Sequence, residues 1–251
     1  MSKISKARKI AVIPARGGSK SVPRKNLALL SDIPLIAYSI HAAKKSNLVD
    51  EIVVSTDDQE ISSVARQYGA KVVMRPPELA TDTSRDGELL MHLFESDLTN
   101  WADKDLIVFL RPTHPIRNPK VIDNAIIYYE GASNFDSLRS MKVSSEIPFK
   151  MFRIDDDGCA VTITDNSELK VIDPINAPRQ TLPKTYCGDA YVDVFPISTV
   201  RTFWNTTGEK ILPFLIEEYS TDIDTFLDLA DVQNFLEKDY LPSWFSFPTL
   251  G

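Results

Sequence analysis

The chain has 251 residues, 43% of them apolar and 25% charged, which is enough to bury a sizeable core and too apolar for a disordered polymer. Its formal charge of −7 argues against broad binding to a nucleic-acid backbone, so any anion site must be local. Two cysteines, Cys159 and Cys187, stand far apart without a CxxC pair; they suggest neither a disulfide framework nor a zinc site, and suit a reducing cytoplasm.

The basic start, MSKISKARK, runs into an apolar stretch of about six residues ending at Pro14, shorter than a signal-peptide core, and no stretch approaches a membrane span. A cytoplasmic chain without targeting segments is the expectation. KIAVIP (9–14), EIVVST (51–56), AKVVMRP (70–76) and LIVFLRP (106–112) are nearly continuous in apolar residues, the pattern of parallel strands buried on both faces. Between the second and third, Ile61, Val64, Ala65 and Tyr68 follow helical spacing, with Asp57 or Asp58 ahead as cap and Gly69 behind. Further helices are predicted over 34–45, 86–98 and 119–130, where Pro119 suits a first turn.

That alternation predicts an α/β fold with a doubly wound, mostly parallel sheet, whose ligands lie beyond the carboxyl ends of the strands. From 144 to 185 the pattern loosens into short, proline-containing segments, read as an inserted, hairpin-based lobe. Residues 1–143 and 186–251 then form the main domain. A strand returns at AYVDVFPI, and a helix is predicted from Thr225 to about Tyr240, with Leu229, Val232, Leu236 and Tyr240 on one stripe.

After the first predicted strand come Arg16, Gly17, Gly18, Ser19 and Lys20, then Arg24, Lys25 and Asn26. Glycines let backbone N–H groups approach an anion, while the cations neutralise it and Ser and Asn add hydrogen bonds. This is a triphosphate-holding chemistry. It is neither a Walker A loop, which needs G-x-x-x-x-G-K followed by Ser or Thr, nor a G-x-G-x-x-G dinucleotide loop. In TDIDT, an extended backbone puts Asp222 and Asp224 on one face and Ile223 on the other. Paired carboxylates suit Mg²⁺, which takes carboxylates with substrate phosphates; Asp224 or Thr225 with Asp228 equally suits a helix cap. His41, His92 and His114 lack metal-ligand spacing, and of the three only His114 follows a strand end.

IPARGGSKSVPRKN, STDDQEI, RPPELATDT, PRQTLP and DIDTFLDL, in this order from residue 10 to about 236, resemble the successive motifs of the acylneuraminate cytidylyltransferases, the CMP-sialic acid synthetases, and their CMP-Kdo relatives. The resemblance implies a Rossmann-like domain with a small dimerisation lobe, a homodimer, and Mg²⁺-dependent transfer of CMP from CTP to the anomeric hydroxyl of a nonulosonic sugar acid, with release of pyrophosphate. It implies that Arg16, Ser19, Lys25, Asn26 and Arg75 hold the nucleotide, Arg16 and Lys25 stabilising the departing pyrophosphate. By the same resemblance Asp222 and Asp224 hold the metal, and Arg179, with Lys150, meets the acidic sugar.

The chain departs from the family pattern in LRPTHP, where Arg111 and His114 replace a usual glutamine and serine, and at Asp86, where serine or threonine is usual. Arg111 and Asp86 belong to the nucleotide side. They pair with each other, or they read the edge of the base, and either cytosine or guanine fits that chemistry. CGDAYVDVF replaces a usual NGA, which brings in Asp189 and Asp193.

Overall fold

The structure is a computed structural model that describes residues 6–164, 169, 171–237 and 241–250. The chain divides into two compact units, Met1–Ser140 with Asp189–Gly251, and Met141–Gly188.

The chain opens with β1 (Lys9–Pro14), a small hairpin of β2 (Leu29–Leu30) and β3 (Ile33–Pro34), and α1 (Leu35–Lys45). Ser31 and Asp32, at φ 48° and 62°, make the two-residue turn of that hairpin, as a primed turn requires. Next come β4 (Glu51–Thr56), α2 (Gln59–Gln67), β5 (Lys71–Met74), α3 (Asp86–Glu95), β6 (Leu106–Phe109), α4 (Pro119–Gly131) and β7 (Ser137–Val143). After the hairpin β8 (Phe152–Ile154) and β9 (Ala160–Thr162), β10 (Tyr186–Pro196) leads to α5 (Ile197–Phe203), β11 (Ile211–Leu215) and α6 (Phe226–Leu236).

The main sheet has the order β11-β7-β10-β6-β1-β4-β5. β1 pairs in parallel with β4 and β6, β4 pairs in parallel with β5, and β10 runs antiparallel to β6. Alternate residues of β1 serve different cores, because successive side chains leave opposite faces of a strand. Ala11 and Ile13 join one cluster with Ile36, Ile40 and Ile126, while Ile10 and Val12 join another with Leu90, Leu93 and Phe195. A third cluster gathers Leu30, Leu35, Tyr38, Ile116, Ile223, Val232 and Leu236. The chain moves outward from β1 through β4 to β5, then crosses back to β6 on the other side of β1. That reversal opens a crevice at the carboxyl ends of β1 and β6.

Local signals explain the well-read elements. Asp58, rather than Asp57, caps α2, accepting from the Glu60 and Ile61 N–H groups, and Gly69 follows at φ 93°. Thr225 and Asp228 form the capping box of α6. Other expectations need correction. α3 ends at Glu95, three residues earlier than predicted, because Ser96 turns to an extended ψ of 135°. α6 ends at Leu236 with Val232 and Leu236 buried, and Tyr240 lies outside the described residues. TDIDT pairs in no described strand, and Ile223 points into the core. β7, β11 and α5 were not predicted.

Candidate active site

A cavity of about 290 Å³ sits at the carboxyl ends of the parallel strands. Arg16 and Ser19 reach it from the loop after β1, Arg75 from the end of β5, and Arg111, Pro112 and Thr113 from the end of β6. Lys25 and Asn26 complete one wall, and residues 79–82 with 84–86 another. All seven residues expected on the nucleotide side, Arg16, Ser19, Lys25, Asn26, Arg75, Asp86 and Arg111, line this one cavity.

The first loop is folded tightly before any ligand is considered. Gly17 N–H donates to Asp57 Oδ1 at 3.0 Å, and Asn26 Nδ2 donates to the Arg16 carbonyl at 2.8 Å. Gly17 has no room for a side chain, since a Cβ there would stand 2.9 Å from Asp58 Oδ2. At the rim, Arg16 Nη1 donates to the Thr81 carbonyl at 2.8 Å and pairs with Asp82 at 2.9 Å, while Lys20 also meets Asp82. The Lys20 contact holds the exposed Asp82 carboxyl below its usual range.

Lys25 is 8% exposed and joins two distant motifs. Its Nζ donates to the Ile223 carbonyl at 2.7 Å and to Asp224 Oδ1 at 3.0 Å. Lys25 thereby joins the loop after β1 to the carboxylate pair across 199 positions, while neither Asp222 nor Asp224 lines the cavity itself. Asp222 is half-buried, and its Oδ1 is enclosed without a hydrogen-bond partner. Burial raises the Asp222 carboxyl above its usual range, a Thr113 hydrogen bond opposes this, and neighbouring Asp224 adds to the rise. Among the described residues no group of three or more His, Cys, Asp or Glu side chains is gathered as metal ligands.

Arg111 Nη2 donates to Asp86 Oδ2 at 2.5 Å, so the two unusual residues pair with each other. The Arg111 guanidinium also stacks 5.1 Å from the Phe109 ring. Burial works against its charge, but Asp86, with Asp193 and Asp222 adding to it, holds the group above its ordinary pKa. Arg75 is 7% exposed with its Nε unpartnered; burial lowers it, and Asp57 partly offsets the loss. An enclosed cation at a cavity wall is a natural recipient for an anion or a base carbonyl.

The sugar-side expectations lie in the other unit. There, Lys150 Nζ donates to the Ala177 carbonyl at 2.5 Å, and the exposed Arg179 donates to the Ser144 carbonyl at 3.1 Å. Both cysteines are free, with Cys159 exposed. His41 is on α1 against Ser246 Oγ at 2.8 Å, and His92 is on α3. His114 is fully enclosed beside Asp222.

Sequence reasoning missed Arg117. It is 3% exposed and donates to the Tyr191 carbonyl at 2.6 Å, to Ser39 Oγ at 2.9 Å and to the Arg111 carbonyl at 3.0 Å. Burial brings its guanidinium down to about 10. It braces the β6–α4 turn that carries Arg111. One local hint was available, an arginine enclosed by Ile116 and two prolines, but nothing local says which carbonyls it satisfies.

Residues 10–176 match the family model described as cytidylyltransferase. A CMP-N,N'-diacetyllegionaminic acid synthase of Legionella pneumophila is 35% identical over 229 residues, covering 91% of this chain and 96% of its own length. An N-acylneuraminate cytidylyltransferase of Escherichia coli is 35% identical over 156 residues, or 62% of this chain, and one of Streptococcus agalactiae is 30% identical over 236 residues, or 92%. The chain spans only 36% and 54% of those two longer relatives. Among solved structures, a CMP:2-keto-3-deoxy-manno-octonic acid synthetase complexed with CTP superposes with a TM-score of 0.67 at 16% identity, covering 92% of this chain and 98% of that one. A 4-diphosphocytidyl-2C-methyl-D-erythritol synthase superposes at 0.65 and 15% identity, covering 93% and 100%. At such identities these two establish a shared fold.

Proposed function

The chain belongs to the cytidylyltransferase family, and from that premise we propose that it transfers CMP from CTP to the anomeric hydroxyl of a nonulosonic sugar acid, releasing pyrophosphate. The observation that carries the reading is Lys25, whose ammonium ties the loop after β1 to Ile223 and Asp224. One arrangement thereby offers cations for a triphosphate and carboxylates for a cation.

Lys25 has three N–H donors and uses two on Ile223 and Asp224, leaving one for a phosphate oxygen. Arg16, already aimed at the Asp82 carboxylate, exchanges that anion for the leaving pyrophosphate. Asn26 keeps the loop in place through the Arg16 carbonyl, and Ser19 and Arg75 complete the nucleotide's surroundings. Positioning and charge stabilisation supply most of the acceleration such a displacement needs. Asp222 and Asp224 fit a magnesium ion by the chemistry of their donors, since a pair of carboxylates two residues apart is what Mg²⁺ takes beside phosphates and water. When bound, that ion supplies positive charge at the α-phosphate, as a Lewis acid does. Arg179, with Lys150, is assigned to the sugar carboxylate, for which a guanidinium offers a bidentate fork.

The protein is read as a cytoplasmic homodimer. Among the described residues no helix is long and apolar enough to cross a membrane. Phe152, Ile154 and Ile172 of the second unit are 49%, 69% and 95% exposed, which supports a contact surface there. The full-length match to the legionaminic enzyme favours a second reading of the acceptor, a legionaminic-type acid rather than a sialic acid. Asp222→Asn and Asp224→Asn test the site: both should fold normally and lose most pyrophosphate release. Near-normal release by both at limiting Mg²⁺ would remove the metal assignment.

A further inference from the structure

His114 is 1% exposed and stands between two carboxylates from a different part of the chain. Its Nδ1 is 3.6 Å from Asp222 Oδ1, and its Nε2 is 4.0 Å from Asp189 Oδ1. These are ion-pair separations, longer than hydrogen bonds. Asp189 is 3% exposed and accepts from Ser220 Oγ at 2.5 Å, two residues before Asp222. Tyr191 closes one side of the imidazole, edge to face, with ring centroids 6.3 Å apart. The backbones are also locked together, because Ile223 N–H donates to the Thr113 carbonyl at 2.8 Å. His114 and Asp222 are thus held next to each other by the backbones of both segments.

From this geometry we infer that His114 is the positioning residue of Asp222. Asp189, anchored by Ser220, sets the orientation of the imidazole, and the Nδ1 side of the ring sets the direction of the Asp222 carboxylate. A carboxylate aimed in this way meets a cation with no reorientation, and groups that orient a ligand from behind typically contribute 10–100-fold in metal affinity. The inference rests on the metal reading of Asp222 made above.

The test is Mn²⁺ binding to the full chain, followed by electron paramagnetic resonance with and without CTP and with no sugar acid, so that turnover plays no part. His114→Ala should weaken Mn²⁺ binding about 10–100-fold. His114→Asn, whose amide nitrogen takes the place of Nδ1, should restore binding to within a few-fold, while His114→Gln, whose amide takes the place of Nε2, should not. Asp189→Asn should give an intermediate loss. A role in packing alone predicts no difference between Asn and Gln, and that result overturns the inference, as does parental affinity in His114→Ala. If the alanine variant fails to fold, the comparison of Asn with Gln decides. Asp222→Asn is the control: unchanged Mn²⁺ affinity there overturns the metal reading itself, whereas a loss there with none in the His114 variants overturns only the positioning role.

Discussion

Replacing Lys25 with methionine removes the ammonium while keeping most of the stem's packing. The Lys25 side chain is 10% exposed and its Nζ makes a buried bond of 2.7 Å to the Ile223 carbonyl. A charged hydrogen bond of this kind contributes about 1.5–3 kcal/mol. The pairing with Asp224, whose side chain is 73% exposed, adds less than about 1 kcal/mol because solvent screens it. The summed loss is about 1.5–4 kcal/mol, which for a domain of this size lowers Tm by roughly 3–16 °C. Asp224→Asn loses only the screened part and should fall by no more than about 4 °C. Thermal unfolding of both variants beside the parent is the assay, with the KM for CTP rising in Lys25→Met as a second readout. Lys25→Met within about 1 °C of the parent, or an equal drop in both variants, would refute the view that the buried Ile223 bond dominates.

Gly17→Ala forces a Cβ to within 2.9 Å of Asp58 Oδ2, so the loop or the Asp58 side chain that caps α2 must shift; steady-state kinetics should show the KM for CTP rising about tenfold, equivalent to about 1.4 kcal/mol, and an unchanged KM contradicts a tightly folded loop. Burial raises the Asp193 carboxyl above its usual range, with Arg139 at 3.4 Å offsetting part of it, so the folded state binds a proton that the unfolded state has released. Stability therefore falls as pH rises from the ordinary carboxylate range through the raised value, and the fall in Tm across that range should be smaller in Asp193→Asn. Arg111→Gln alone strands Asp86, whereas Asp86→Ser with Arg111→Gln removes both charges. A double-mutant cycle on nucleotide KM should show coupling of about 0.5–3 kcal/mol, and strict additivity would dissolve the pair as a unit.

The sequence revealed most where a local pattern has a single physical cause. β1, β4 and β6 read clearly because burial on both faces makes them continuous apolar runs. α2 and α6 announced their starts through Asp58 and the Thr225–Asp228 box. β7 was hidden because SLRSMKV mixes polar residues into the strand, and β11 because ILPFL contains Pro213, which is tolerated at a sheet edge where no partner needs its missing N–H. α5 was hidden by the β-branched residues of ISTVRTF, which are poor helix formers.

The site divides in the same way. The glycines and cations between Arg16 and Asn26 are neighbours in sequence, so their chemistry was visible, and the Arg111–Asp86 pairing could be named as one option because both residues depart from the family pattern on the nucleotide side. The Arg117 bonds to Tyr191 and Ser39 cross more than 70 positions, as does the His114–Asp189 contact, and only folding brings those partners together. Asp57 shows the limit within a readable motif: of two adjacent aspartates, one caps α2 and the other holds Gly17, and no spacing rule separates them.

On the proposed function, this crevice joins CMP to a sugar acid. Its most direct measurement is pyrophosphate release with CTP, UTP, ATP and GTP, each against a panel of sialic, legionaminic, pseudaminic and Kdo acids. Release is expected with CTP and a nonulosonic acid, dependent on a divalent cation and abolished in Asp222→Asn. Release with no pair, alongside measurable CTP binding, would contradict it and leave a nucleotide-binding protein without turnover.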